Sequence, residues 1–161
     1  MQWLVGTRTA SDINLIAQLL ILVGLYYGFA LARRRRFADH ANVQTAMVLL
    51  NVPLIAFMMI PSFWDYVVVG GHTTSPGARL TIAHGTLGFF VEVVALYLIL
   101  QMRTNVVPRQ LRIDNIKLAM RTTLALWTVV VLMGLGIYVT AYVLPSAPAG
   151  AVDPTAWACC A

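Results

Sequence analysis

The residues best suited to chemistry in this sequence lie inside a long apolar stretch. His84, Gly88 and Glu92 are spaced four residues apart, so a helix would place them along one face with a glycine between the imidazole and the carboxyl. A carboxyl group in the middle of a membrane-length helix is a functional candidate, because ionisable groups are costly there. Glu92, with Asn51 in the preceding apolar stretch, is the candidate for a proton relay or a transport step. A structural hydrogen bond from Glu92 to Asn51 or Thr123 is the alternative.

The three histidines suggest haem or metal binding as a second kind of chemistry. His40 and His84 lie at opposite membrane faces, roughly 30 Å apart, and therefore cannot bind one iron from two sides. His84 is the better candidate for a cofactor ligand such as an axial haem ligand, with His40 second. Asp65, His72 and His84 can converge near one face, and two imidazoles with a carboxylate suit a divalent metal. A solvated His72 is the alternative.

A stripe of polar and thioether side chains follows the second apolar stretch. At about 100° per residue, its members lie within roughly 40° of one line along a helix. They are His40, Gln44, Met47, Asn51, Met58, Ser62 and Asp65. Such side chains usually face the interior of a bundle, so the stripe indicates either hydrogen bonds between helices or the lining of a ligand site. Pro53 and Pro61 each remove a helical hydrogen bond, which predicts kinks or a widened pocket.

Membrane-spanning helices must position these residues, because four apolar stretches fill most of the 161-residue chain. Hydrophobic residues make up 60% and charged residues 11%, whereas soluble domains carry about 25% charged residues. The mean hydropathy is +0.78. We predict an all-α fold, an integral membrane four-helix bundle that forms one domain over residues 1–161. The predicted spans are 13–32, 43–69, 81–101 and 122–144, each about long enough to cross a bilayer, followed by an irregular tail at 145–161.

The basic residues are distributed asymmetrically along the chain. Four arginines, Arg33–Arg36, follow the first stretch, and five more basic residues lie between the third and fourth stretches. Only Arg8 and Arg79 fall on the other side. The positive-inside rule then predicts that both termini lie on the non-cytoplasmic side of a bacterial inner membrane. The basic runs are interpreted as anchors that contact anionic membrane lipid, and nucleic acid is not expected as a partner.

Two further patterns concern the membrane surface. The segment 103–121 alternates apolar residues with bases, which predicts a helix lying in the interface. Four aromatic residues are expected to form a belt at the external face: Trp64, Tyr66, Tyr138 and Tyr142. The only cysteines, Cys159 and Cys160, are adjacent in the tail, a spacing that does not suit a zinc or redox pair. No nucleophile–base pair or phosphate-binding glycine loop is recognisable, so the sequence favours a non-enzymatic role.

Three short motifs occur in a characteristic order along the apolar stretches. They are Asp39-His40-Ala-Asn-Val-Gln-Thr-Ala-Met47, Ile82-Ala83-His84, and Lys117-Leu-Ala-Met-Arg121 ahead of Leu126-Trp127-Thr-Val-Val-Val-Leu-Met-Gly134-Leu-Gly-Ile-Tyr138. This layout, over roughly residues 13–143, resembles the domain-of-unknown-function 420 family (CtaM-like), small multispan proteins associated with cytochrome oxidase biogenesis. By this resemblance His40 and His84 match family histidines. Further histidines of the family are replaced here, near 62–65 and at 114–115, which implies a divergent member.

Three functional hypotheses follow. The first is a non-enzymatic accessory subunit or assembly factor of a respiratory or photosynthetic redox complex, which the resemblance implies. Its partners would be membrane lipid and the subunits of that larger membrane complex. The second is a haem- or metal-binding membrane subunit that uses His84 near the external face. The third is a proton-relay or transport component that uses Glu92.

Overall fold

Four long helices make up most of the computed structural model, which describes residues 8–71, 73–74, 76–104 and 107–144. Helix α1 spans Arg8–Arg33, α2 spans Phe37–Val69, α3 spans Pro76–Arg103 and α4 spans Ile116–Val143. All four are long and apolar enough to cross a membrane. The chain is therefore an all-α, multi-pass membrane protein, as predicted, and the four predicted spans fall on these four helices.

Helix α2 is not a uniform α-helix. It is α-helical over Phe37–Leu54, π-helical over Ile55–Met59, α-helical over Ile60–Phe63 and π-helical over Trp64–Val69. Pro61 lies just after the first π-helical segment, and a proline, which has no N–H group, interrupts the regular α-helical pattern. A π-helical turn takes in more residues than an α-helical one. The helix is thus widened next to its second proline.

The widened turns change which side of α2 faces the bundle. A spacing of 100° per residue applies only to the α-helical part, so the predicted stripe does not continue unchanged into the π-helical segments. Tyr66 is buried there, whereas Asp65 is exposed. The stripe prediction is therefore wrong at this end of the helix.

The connection between α3 and α4 is not the interfacial helix that the segment 103–121 predicts. Helix α3 ends at Arg103, a single 3-10 turn covers Arg109–Leu111, and α4 begins at Ile116. Pro108 immediately precedes the 3-10 turn and is incompatible with the interior of a continuous helix. The apolar residues of this segment thus lie in a folded loop and in the first turn of α4.

One apolar core joins all four helices. Its buried members are Ile21, Leu25, Val48, Val91, Ala95, Trp127, Val130 and Val131. Helices α1 and α2 approach closely beside this core at two glycines. A Cβ atom at Gly24 would lie 2.3 Å from Met47 Sδ, and one at Gly28 would lie 2.9 Å from Gln44 Nε2. Small residues four apart permit this kind of contact between membrane helices.

Candidate functional site: a cavity within the bundle

A cavity of about 440 Å³ lies between the four helices. On α1 and α3, the last lining residues along the chain are Gln18 and Glu92. On α2 and α4, the first lining residues are Asn51 and Trp127. The cavity thus occupies only the half of the bundle where α1 begins, which is the half predicted to be external, and it ends near the middle of the helices. Its volume falls within the usual range of small-molecule sites, about 300–1,000 Å³.

A chain of three polar side chains forms the inner end of the cavity, and we call it the polar floor. Gln18 Nε2 donates a hydrogen bond to Asn51 Oδ1 at 2.7 Å, and Asn51 Nδ2 donates to Glu92 Oε2 at 3.0 Å. Asn51 is 6% exposed and Glu92 is 5% exposed. The structure thus brings together the predicted pair Glu92 and Asn51. Thr123 donates instead to the Ala119 carbonyl of its own helix, at 2.9 Å.

Several oxygen atoms around the cavity have no hydrogen-bond partner. Within the described ranges, the buried side-chain nitrogen and oxygen atoms without a hydrogen-bond partner are Asn14 Oδ1, Thr81 Oγ1 and Glu92 Oε1. All three belong to residues that line the cavity. Thr81 precedes Glu92 by eleven residues, or about 16 Å along α3, so these oxygens lie at different depths. Because buried polar groups are nearly always hydrogen-bonded, these three atoms are candidate partners for a water molecule or a hydrogen-bonding ligand.

His84 lines the cavity between Thr81 and Glu92. Its Nδ1 atom donates to the Val130 carbonyl at 3.1 Å, and a Cβ atom at Gly134 would lie 3.0 Å from the ring. A carbonyl oxygen can only accept, so the neutral ring carries its lone pair on Nε2. Histidine ligands of metals commonly use the other ring nitrogen for such a bond. His84 therefore retains an atom that can accept a hydrogen bond or bind a metal.

Of the other predicted cofactor residues, His40 and Asp65 do not line the cavity with His84. His40 donates from Nδ1 to the Gly28 carbonyl at 2.8 Å, and the course of the chain places it at the opposite end of the bundle. Asp65 is exposed on α2, and His72 lies outside the described residues, as do the two cysteines. Among the residues that are described, no three His, Cys, Asp or Glu side chains are grouped to hold a metal ion.

Two tyrosines of α4 bind α1 near the outer end of the cavity. The Tyr142 hydroxyl lies 3.1 Å from the Ser11 hydroxyl, and the Tyr138 hydroxyl donates to Asp12. Ser11, Tyr138 and Tyr142 all line the cavity. These contacts between the first and last helices give the outer part of the cavity a polar wall.

The prediction of an aromatic belt is wrong for Tyr66. Trp64 is exposed, but Tyr66 is 3% exposed and packs with Ala78 in a small second core. Tyr138 and Tyr142 are partly buried and contribute hydrogen bonds between helices. An aromatic ring with a hydroxyl group suits both an interfacial position and a helix contact, and the local sequence does not separate these two positions.

Helix α1 supplies polar residues that the sequence analysis did not single out. Ser11, Asn14 and Gln18 all line the cavity. Their spacing of three and then four residues is the periodicity of one helical face. This spacing is the signal that points to them, because three polar side chains on one face of an apolar span favour the bundle interior.

The stripe on α2 has two different roles along its length. His40, Gln44 and Met47 contact α1, whereas Met58 and Ser62 line the cavity. The stripe thus contacts α1 in one half of the helix and faces the cavity at Met58 and Ser62 in the other.

The described site combines apolar and aromatic walls with acceptor atoms at several depths. Compared with known proteins, the chain matches no family model, no curated protein and no solved structure.

Proposed function

We propose that this chain is a non-enzymatic membrane protein that binds a small ligand in the cavity between its four helices. The main support for the proposal is the hydrogen bonding of the Glu92 carboxyl group in the polar floor. One carboxyl oxygen accepts from Asn51, and the other is buried at the cavity without a partner. Leaving a buried polar atom unsatisfied costs about 1–3 kcal/mol. A ligand that hydrogen-bonds to this atom would regain that energy.

Binding fits the shape of the cavity better than conduction across the membrane does. The lining residues stop at the polar floor, and the next inward-facing residues of α1 and α3 are the apolar core residues Ile21, Leu25 and Ala95. A proton or solute that crosses the bundle would need polar groups or water beyond the floor. The arrangement therefore favours a cavity that takes up and releases its ligand at one side.

Filling the cavity tests this proposal. Gly88 lines it, and a Cβ atom there would lie 3.3 Å from Val130 Cγ1, so Gly88→Leu adds bulk within the cavity wall. Gly136 is the matched control, because a Cβ atom at this position meets nothing within 4 Å. Small molecules released from the purified, washed proteins are quantified by mass spectrometry. We expect a molecule that is retained by the wild type and Gly136→Leu and is depleted from Gly88→Leu. The proposal would be contradicted if Gly88→Leu and Gly136→Leu had equal melting temperatures and retained equal amounts of the molecule.

We further propose that the protein serves a respiratory or photosynthetic redox complex of the bacterial inner membrane, as an accessory subunit or assembly factor. The support is the sequence layout, in which His40 and His84 match histidines of the oxidase-biogenesis family. A pull-down in mild detergent, with a visible spectrum of the same sample, tests this role. Co-purifying oxidase or reaction-centre subunits are expected. A Soret band on the isolated chain that His84→Ala abolishes would instead favour the haem-binding hypothesis.

A further inference from the structure

The ionisable side chains of the cavity include one acid and one base. Among the described residues that line it, Glu92 is the acid, His84 is the base, and no lysine or arginine is present. Arg79 lies two residues before Thr81 but is exposed and does not take part. A second carboxylate lies close by, since Asp12 accepts a hydrogen bond from the lining residue Tyr138. A bound anion would therefore meet two carboxyl groups, with His84 as the one basic side chain of the described lining.

The hydrogen-bonding capacity of the cavity also favours donors on the ligand. The unpartnered buried atoms, on Asn14, Thr81 and Glu92, are all oxygens that can accept. His84 adds an acceptor at Nε2, because its Nδ1 atom donates to Val130. A ligand rich in N–H groups complements such a surface better than one that presents only carbonyl oxygens.

The walls are apolar and aromatic along the length of the cavity. They include Phe63, Phe89 and Trp127, together with the thioethers Met58 and Met59. Aromatic faces attract cations by about 0.5–2 kcal/mol, the larger values being found at desolvated sites. They also provide a surface for an apolar chain. A ligand with a cationic head and an apolar body satisfies both properties.

We propose that the ligand is an organic ammonium ion with an apolar tail, whose N–H groups donate to Glu92 at the polar floor and whose tail lies along the aromatic walls. This inference rests on the proposed function, because it names the ligand class of the same cavity. A carboxyl group in a low-dielectric site is costly to ionise without a counter-charge, and a bound ammonium ion supplies that charge. A neutral alcohol donates one hydrogen bond but supplies no counter-charge.

Three probes of similar size separate charge from shape. They are 4-phenylbutylammonium, 4-phenyl-1-butanol and 5-phenylpentanoate, which present a cation, a neutral donor and an anion on the same apolar body. Each is titrated calorimetrically into the full-length protein in phosphatidylcholine nanodiscs, and empty nanodiscs correct for partition into lipid. We expect saturable binding of the ammonium ion, weaker binding of the alcohol and no binding of the carboxylate.

Two variants assign the effect to Glu92. Glu92→Gln keeps the size of the side chain and an oxygen that can accept from Asn51. It should weaken ammonium binding at least about 30-fold, because this is the loss expected when one partner of a buried charge pair is removed. Asp114→Asn removes one carboxylate from the exposed connection before α4 and should leave binding unchanged. Melting temperatures establish that both variants are folded.

Two outcomes would overturn the inference: equal affinity for the alcohol and the ammonium ion, or unchanged ammonium binding in folded Glu92→Gln. If no probe binds while the Gly88→Leu comparison still reveals a retained molecule, the ligand class is wrong and the proposed function stands. If that comparison also fails, the proposed function fails as well.

Discussion

At the scale of single residues, Asn51 determines the geometry of the polar floor. Its carbonyl oxygen accepts from Gln18 and its amide nitrogen donates to Glu92, so one side chain connects α1, α2 and α3. This use of both ends of the amide fixes the orientation of Asn51, because a flipped amide would lose both bonds. Glu92 is thereby held with Oε2 bonded to Asn51 and Oε1 without a hydrogen-bond partner.

Replacing Asn51 tests this role. Asn51→Leu leaves Gln18 Nε2 and Glu92 Oε2 without their partner. We expect a loss of about 1–3 kcal/mol in the free energy of unfolding. Hydrogen bonds between membrane helices average about 0.6 kcal/mol, and the buried atoms left unsatisfied add to this cost. The measurement is unfolding in mixed micelles. Asn42→Leu is the control on the same helix, because Asn42 is exposed and accepts a hydrogen bond from the exposed Arg103. Equal destabilisation by the two changes would contradict the account.

At the scale of the helices, the contact between α1 and α2 fixes the end of the bundle opposite the cavity. Gly24 and Gly28 lie four residues apart on α1, and Met47 and Gln44 of α2 occupy the space that side chains at these glycines would need. Gln44 Nε2 also donates to the Leu25 carbonyl at 3.0 Å. The same two helices, α1 and α2, therefore pack closely at one end of the bundle and line the cavity at the other end.

A larger side chain at Gly24 should separate these helices. A Cβ atom there would lie 2.3 Å from Met47 Sδ and 2.8 Å from Met47 Cγ, so Gly24→Val forces a shift of the thioether or of the helix. We expect a loss of about 1–3 kcal/mol in the free energy of unfolding, the usual cost of overpacking. Gly136→Val, where nothing lies within 4 Å of the new Cβ atom, should have little effect. The account would be contradicted if Gly24→Val were as stable as the control.

Helix α2 also shows where periodicity ceases to predict orientation. Asn51, in the α-helical part, is buried as the 100° pattern predicts, but Asp65 is exposed beyond the π-helical turns and Tyr66 is buried in its place. Pro61 predicts a kink or a widened pocket, and π-helical segments lie on both sides of it. It did not indicate the resulting rotation, because that depends on how many residues the wider turns take in.

At the scale of the whole molecule, the number and approximate extent of the helices are predictable because apolar length is a direct physical requirement of the bilayer. The pair Glu92 and Asn51 is predictable for a similar reason, since buried polar groups must find partners. The cavity is not predictable in the same way. It depends on the relative rotation of four helices, and residues such as Asn14 and Gln18 acquire their role only when α1 packs against α2 and α3.

The central claim is that the bundle contains an internal cavity that small solutes reach from one side of the membrane. Thr81 lines this cavity, and Ala83, two residues further along α3, is exposed on the outer surface of the bundle. The most direct measurement compares Thr81→Cys with Ala83→Cys, each with Cys159 and Cys160 replaced by serine, for reaction with a small water-soluble thiol reagent in lipid nanodiscs. Thiols react as thiolates, which require a polar surrounding. We predict that Thr81→Cys is modified much faster than Ala83→Cys. Equal rates, or faster modification of Ala83→Cys, would contradict the existence of the cavity.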